Sequence, residues 1–167
     1  MSTDRIWFTN KITQIEKSNL RKGLHVVRLH ERNYRLWIPV IKQSINNFNS
    51  EHTWNDMWSI KDAIIRFKEN IFLYLLMGNN NKPLGHVWVD KNYIYNVFVS
   101  SKRVNGDSER FLQYIMYDMR RYTEDDIVLY VDSWNERAIG FFKKLNFVKS
   151  SKNFQNVMNS FIEQEKL

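Results

Sequence analysis

Short apolar runs alternate along this chain with longer stretches whose apolar positions recur at helical spacing. Leu24 to Leu29 (LHVVRL) reads as a strand, bounded by Lys22-Gly23 and by the polar ERNYR. In LWIPVIKQSINNF, the spacing of Leu36, Val40, Ile41, Ile45 and Phe48 predicts a helix with Pro39 in its first turn or at a kink. TWNDMWSIKDAIIRFKEN predicts a second helix carrying Met57, Ile60, Ile64 and Phe67, capped by Thr53 or Asn55. IFLYLLM (71–77) is too short for a buried helix and is closed by GNNNKP, so it reads as a central strand. HVWV (86–89) and YIYNVFV (93–99), joined by DKN, extend it into an antiparallel meander.

Phe111, Leu112, Ile115, Met116 and Met119 mark a third helix, and IVLYV (127–131) another buried strand. In 132–147, Ala138, Phe141, Phe142 and Leu145 predict a short helix with Asn135 as its N-cap and Trp134 stapled onto Ile139. The tail permits one or two more strands, and residues 1–22 read as an N-terminal extension. With no repeat and no linker, residues 1–167 read as one domain, an α/β mixed sheet flanked by helices on both faces.

Composition narrows the chemistry. The chain has no cysteine, which excludes disulfides and thiol nucleophiles and fits a reducing compartment. No run of about 18 apolar residues occurs, so the chain reads as cytoplasmic, with no membrane partner. A net charge of +7 favours an anionic partner: nucleic acid, an acidic protein or a phosphate-rich cofactor. His25, His30, His52 and His86 show no metal-ligand spacing with carboxylates, so no metal is expected. Nucleotide-binding glycine motifs and the G-x-S-x-G elbow are absent.

RVNGDSE (103–109), between the strand 93–99 and the third helix, bears two readings. It is a turn capped by Asp107 or Ser108, with Glu109 favoured by the helix dipole. Alternatively its successive backbone N–H groups cradle a phosphate, with Gly106 free to adopt a conformation other residues resist. The second reading requires Asp107 and Glu109 to point away from the anion, against a local background of Lys102, Arg103 and Arg110.

Two patterns in the right order resemble the GNAT superfamily of acyl-CoA-dependent N-acyltransferases, over roughly Leu24 to the C-terminus. The first is the family's Gln/Arg-x-x-Gly-x-Gly/Ala loop, here Arg103-Val104-Asn105-Gly106-Asp107-Ser108, with serine at the last position and Ser101 where a proline is usual. The second is Asn-x-x-Ala-x-x-φ-Tyr-x-x-x-Gly-Phe, matched by Asn135, Ala138, Phe141 and Phe147, with Phe142 in place of tyrosine and Asn146 in place of glycine. The first falls in a region, 93–121, that resembles the family's motif A, and the second in 127–147, resembling its motif B.

The resemblance implies a GNAT-like, mostly antiparallel sheet and acetyl-CoA as acyl donor. Residues 103–108 (Arg103, Val104, Asn105, Gly106, Asp107, Ser108) would supply amides to its pyrophosphate. Phe98, Val99 and Ser100 would lie along the pantetheine arm, with an amide near Phe98 or Val99 polarising the thioester carbonyl. Asn135, Ala138, Phe141 and Phe142 would stand beside the cofactor, Asn135 either bonding the arm, capping its helix, or both. The strand position that holds a glutamate in some members is Tyr93; His86, Asp90 and Tyr95 are neighbouring candidates for the base. Phe142 removes the usual tyrosine acid, and Tyr130 or solvent would replace it. Trp54, Trp58, Phe67 and Trp88 would either wall an acceptor pocket or belong to the core.

The expected activity is acetyl transfer to an unidentified primary amine by direct attack in a ternary complex, by a monomer or homodimer. Two alternatives stand: a catalytically silent CoA-binding or regulatory module, and a nucleic-acid-directed binder or modifier.

Overall fold

The computed structural model describes residues 4–52, 58–152 and 154. Its strands are β1 (Arg5–Asn10), β2 (His25–Leu29), β3 (Phe72–Met77), β4 (Pro83–Asp90), β5 (Tyr93–Val99), β6 (Ile127–Asp132) and β7 (Val148–Lys149). They form one sheet in the order β2-β3-β4-β5-β6-β1-β7, antiparallel throughout except between β5 and β6. The helices are α1 (Ile38–Glu51), α2 (Ile60–Lys68), α3 (Asp107–Met119) and α4 (Glu136–Lys144).

Alternation along each strand sends neighbouring side chains to opposite faces. On β3, Leu73, Leu75 and Met77 join Ile41, Ile45, Ala63 and Phe67 of α1 and α2. Tyr74 and Leu76, one residue out of step, join Phe111, Leu112, Ile115 and Met116 of α3 and Phe142 of α4. The sheet is thus covered on both faces, and each of the large α3 residues contributes roughly 1.5–3 kcal/mol by its burial.

The stretch 1–22, read from the sequence as an extension, contains a strand. β1 pairs with β6 from Arg5↔Asp132 to Asn10↔Ile127, and it is held at its end by the buried Asn10 Nδ2, which donates to the Leu145 carbonyl (2.9 Å). RIWFTN hides this because Trp7 and Phe8 are consecutive and both buried, one on each face, so the segment lacks a clean apolar–polar alternation. The second helix also begins later than its pattern suggested. Ser59 caps it, with Asp62 Oδ2 accepting from the Ser59 N–H (2.8 Å) in a capping box; the Thr53 and Asn55 caps proposed from sequence, with Trp54 and Met57, lie outside the described residues.

Two irregularities shape the sheet centre. The pairing of β4 with β5 shifts register between His86 and Trp88, where β5 carries one extra residue and Asn96 takes φ 51°. Beside this bulge the backbones come so close that a Cβ on Gly85 would lie under 3.0 Å from the Phe98 carbonyl oxygen. Beyond it, β5 and β6 share a single registered pair, Tyr93↔Val128, next to the Val128 N–H to Asn92 carbonyl bond (2.9 Å). From there the two parallel strands diverge and the sheet opens.

Candidate active site

The opening between β5 and β6 leads into a cleft of ≈ 1110 Å³. Val97, Phe98 and Val99 form one wall; Asn105, Gly106 and Ser108 lie at the start of α3; Asn135, Ala138 and Phe142 form the α4 side. Amide directions along an extended strand alternate, and the Ser100 N–H donates to the Leu84 carbonyl of β4 (2.7 Å). The N–H groups of Val99 and Val97 therefore face the opposite way, into the gap.

The loop from 100 to 108 owes its shape to internal bonds. Arg103 N–H donates to the Ser100 carbonyl (3.0 Å), and Asp107 N–H to the Val104 carbonyl (3.0 Å). The Asp107 carboxylate accepts from Val104 N–H (2.9 Å) and, through both oxygens, from Arg21 (3.0 and 3.1 Å). This fork holds the Asp107 carboxyl below the usual carboxylate range, chiefly through the Arg21 hydrogen bond and against the opposing effect of burial. Gly106 sits at φ 92° as the residue before α3, the left-handed region for which glycine is suited.

The N–H groups of Asn105, Gly106, Ser108 and Glu109 have no hydrogen-bond partner among the described residues, as expected for the first turn of a helix. They adjoin the cleft and suit a pyrophosphate. Of the two acids that this reading requires to point away, Asp107 does: its side chain is 0% exposed, and it does not line the cleft. Glu109 does line it. The charged walls are balanced, Arg103, Arg137 and Lys144 against Glu51, Glu109 and Glu136, so anion binding here rests on the amides more than on net charge.

Asn135 caps α4, its Oδ1 accepting from Ala138 N–H (3.1 Å), and also lines the cleft, with no partner for its Nδ2 among the described residues. The two roles weighed from sequence are compatible. Asn146, which stands where the family has glycine, adopts φ 69° as α4 ends, a conformation asparagine tolerates better than most side chains. Arg103 turns back to the Ser100 carbonyl (3.2 Å), while Val104 is exposed outside the cleft. Ser100 is buried, its hydroxyl donating to Glu51 Oε2 (3.0 Å).

The three residues proposed as catalytic lie away from these walls. Tyr93 and Tyr130 pack with Trp7 in an aromatic cluster on the α1/α2 side of the sheet, and burial raises both phenols above their ordinary range. His86 is 2% exposed; Ser44 Oγ lies 2.7 Å from its Nδ1, and Asn96 Oδ1 2.9 Å from its Nε2. Burial pushes its imidazole down to about 4, so it is neutral with both nitrogens engaged and does not face the cleft. Asp90 is pushed upward by burial and also lies off the cleft. Phe67 and Trp88 are core residues, with Trp58 packed against them.

Sequence reasoning missed Glu51 and His52 at the end of α1. Both line the cleft, and Glu51 also accepts from Ser101 N–H (2.9 Å), fastening α1 to the end of β5. His52 Nδ1 lies 2.8 Å from the Phe48 carbonyl, which only accepts, so Nδ1 is the donor in this bond. No motif marks this pair; the partners of Glu51, Ser100 and Ser101, lie about fifty residues away just after β5.

No protein-family model matches the chain, and no curated protein matches it in sequence. Solved structures do match its shape. A Drosophila protein from structural genomics superposes with TM-score 0.64 at 10% identity, over 87% of this chain and 47% of that one. An acetyltransferase assigned to the GNAT family from Novosphingobium aromaticivorans gives 0.59 at 13% identity, over 87% and 59%. An aminoglycoside acetyltransferase from an uncultured soil metagenomic sample, solved with sisomicin, gives 0.56 at 15%, over 73% and 86%. The chain spans about half the length of the Drosophila protein. The fold is that of the GNAT superfamily, as the two sequence patterns implied. No helix among the described residues is long and apolar enough to cross a membrane.

Proposed function

We propose that this protein is an acetyl-CoA-dependent N-acetyltransferase acting on a primary amine. The observation that carries the reading is the gap between β5 and β6, which runs onto the unpartnered amides of Asn105, Gly106, Ser108 and Glu109. A thioester arm laid along β5 would find strand amides to bond, and its pyrophosphate would meet the start of α3.

Transfer joins the amine nitrogen to the thioester carbon and breaks the carbon–sulfur bond; the nitrogen loses a proton and the thiolate gains one. The N–H groups of Val97 and Val99, on the strand edge opposite the Ser100 N–H, would donate to the carbonyl oxygen as it gathers charge. An alkylamine with pKa of about 10.4 loses roughly 4–5 kcal/mol to deprotonation at pH 7. His52 is the imidazole on the cleft wall and is our candidate for accepting that proton. Holding both substrates together supplies roughly 7–11 kcal/mol of the barrier, enough for solvent to protonate the thiolate where Phe142 offers no hydroxyl.

That phenyl ring also favours a second reading, a silent module that binds CoA without turnover. Thiol release from acetyl-CoA against a panel of amines separates the two. Amine-dependent release supports the enzyme, whereas thermal stabilisation by CoA without release supports the silent module. Absence of any CoA binding refutes both.

A further inference from the structure

His86 occupies an unusual position for a polar residue. It sits on β4 between the rings of Phe48 (5.7 Å between centroids) and Phe98 (5.2 Å), where an apolar side chain would avoid the cost of desolvating an imidazole. What offsets that cost is a complete hydrogen-bond chain. Asn96 Oδ1 accepts, so Nε2 carries the ring proton; Nδ1 then accepts from the Ser44 hydroxyl. The chain joins α1, β4 and β5, and its last member is Asn96, the left-handed residue of the bulge. Val97, whose N–H faces the gap, follows immediately.

We propose that Ser44, His86 and Asn96 form a positioning device that locks the bulge and thereby aims the Val97 and Val99 N–H groups at the carbonyl of a bound thioester. This rests on the acyl-CoA reading of the cleft. His86 acts through Asn96 and touches no substrate. Asparagine tolerates the left-handed backbone, and the bond that its Oδ1 accepts from His86 Nε2 holds its amide in one direction. The same chain ties the bulge to α1, whose end supplies Glu51 and His52 to the cleft, so the two walls are set by one bonded path.

The test uses acetyl-CoA carrying 13C at the thioester carbonyl, read by isotope-edited infrared spectroscopy, with CoA affinity measured in parallel by calorimetry. Bound to the wild-type protein, the carbonyl stretch should fall below its frequency in water. Asn96→Gly keeps the left-handed backbone while deleting the amide, and Ser44→Ala deletes the other end of the chain. Each should lose at least half of the downshift while CoA affinity stays within about threefold of wild type. An unshifted carbonyl in a wild-type complex that binds CoA overturns the positioning role alone, as does a full downshift in both variants. If wild type binds neither CoA nor acetyl-CoA, the acyl-donor reading falls and the positioning role falls with it.

Discussion

Acidification from pH 7 toward pH 4 offers a protonation test of the buried chain around His86. In the unfolded chain this ring titrates near 6.5, whereas in the folded protein burial moves it to about 4. Each pH unit between those values is worth about 1.36 kcal/mol, so the whole interval corresponds to roughly 3 kcal/mol. The folded-state value is lowered, so the contribution is intact above 6.5, declines as the unfolded chain takes up a proton that the folded one refuses, and is lost by about 4. Against a total stability of about 5–15 kcal/mol this is a large effect. Asp90, raised by burial, opposes it, because there the folded state binds the proton more readily. Asp107, held low by Arg21, adds its own loss only as the pH falls below the ordinary carboxylate range of about 3.9. Urea unfolding at half-unit pH steps should therefore show stability falling from pH 6.5 to 4.5, and His86→Gln should flatten that slope. Ring 15N spectra should show His86 neutral with its proton on Nε2 throughout this range. A His86 ring that titrates near 6.5, or a wild-type stability that stays level across the interval, would mean that burial does not hold this imidazole neutral.

Gly106→Val forces a β-branched residue into φ 92°, where space is adequate but the backbone is not; it should cost about 1–3 kcal/mol and weaken CoA binding at least tenfold, measured by calorimetry. Gly85→Ala drives a methyl against the Phe98 carbonyl and should destabilise by about 1–3 kcal/mol in chemical denaturation. Asp107→Asn breaks the fork to Arg21, so the melting temperature and CoA affinity should both fall, the first read by calorimetric scanning and the second by titration. His52→Gln should lower the rate of amine acetylation by about 100-fold or more while leaving CoA affinity within about threefold.

Features that depend on neighbours in the chain were legible from residue order alone. The periodicity of Ile41–Ile45–Phe48 and of Phe111–Leu112–Ile115–Met116 marked α1 and α3, the run 71–77 marked β3, and Asn135 marked the start of α4, because periodicity and caps are local. The Arg103–Ser108 and Asn135–Phe147 patterns also carried the fold, and the loop they singled out does adjoin the cleft. What lies across from what emerged from the folded chain. β1 became visible through its pairing with β6, more than a hundred residues away, where the partner strand supplies the burial that the pattern of RIWFTN conceals. Charge near Gly106 read as slightly basic along the chain, but folding drew Asp107 onto Arg21 and brought in Glu51 and Glu136, so the cleft walls balance. In the sequence, His86 is a candidate base because it neighbours Tyr93, the strand position that holds a glutamate in some members of the family it resembles. Burial between Phe48 and Phe98, with Ser44 and Asn96 on its two nitrogens, keeps it off the cleft, while His52, without any motif, lines the cleft wall. A side chain's chemistry is set by its type, but its role is set by desolvation and partners, which the fold supplies from distant parts of the chain.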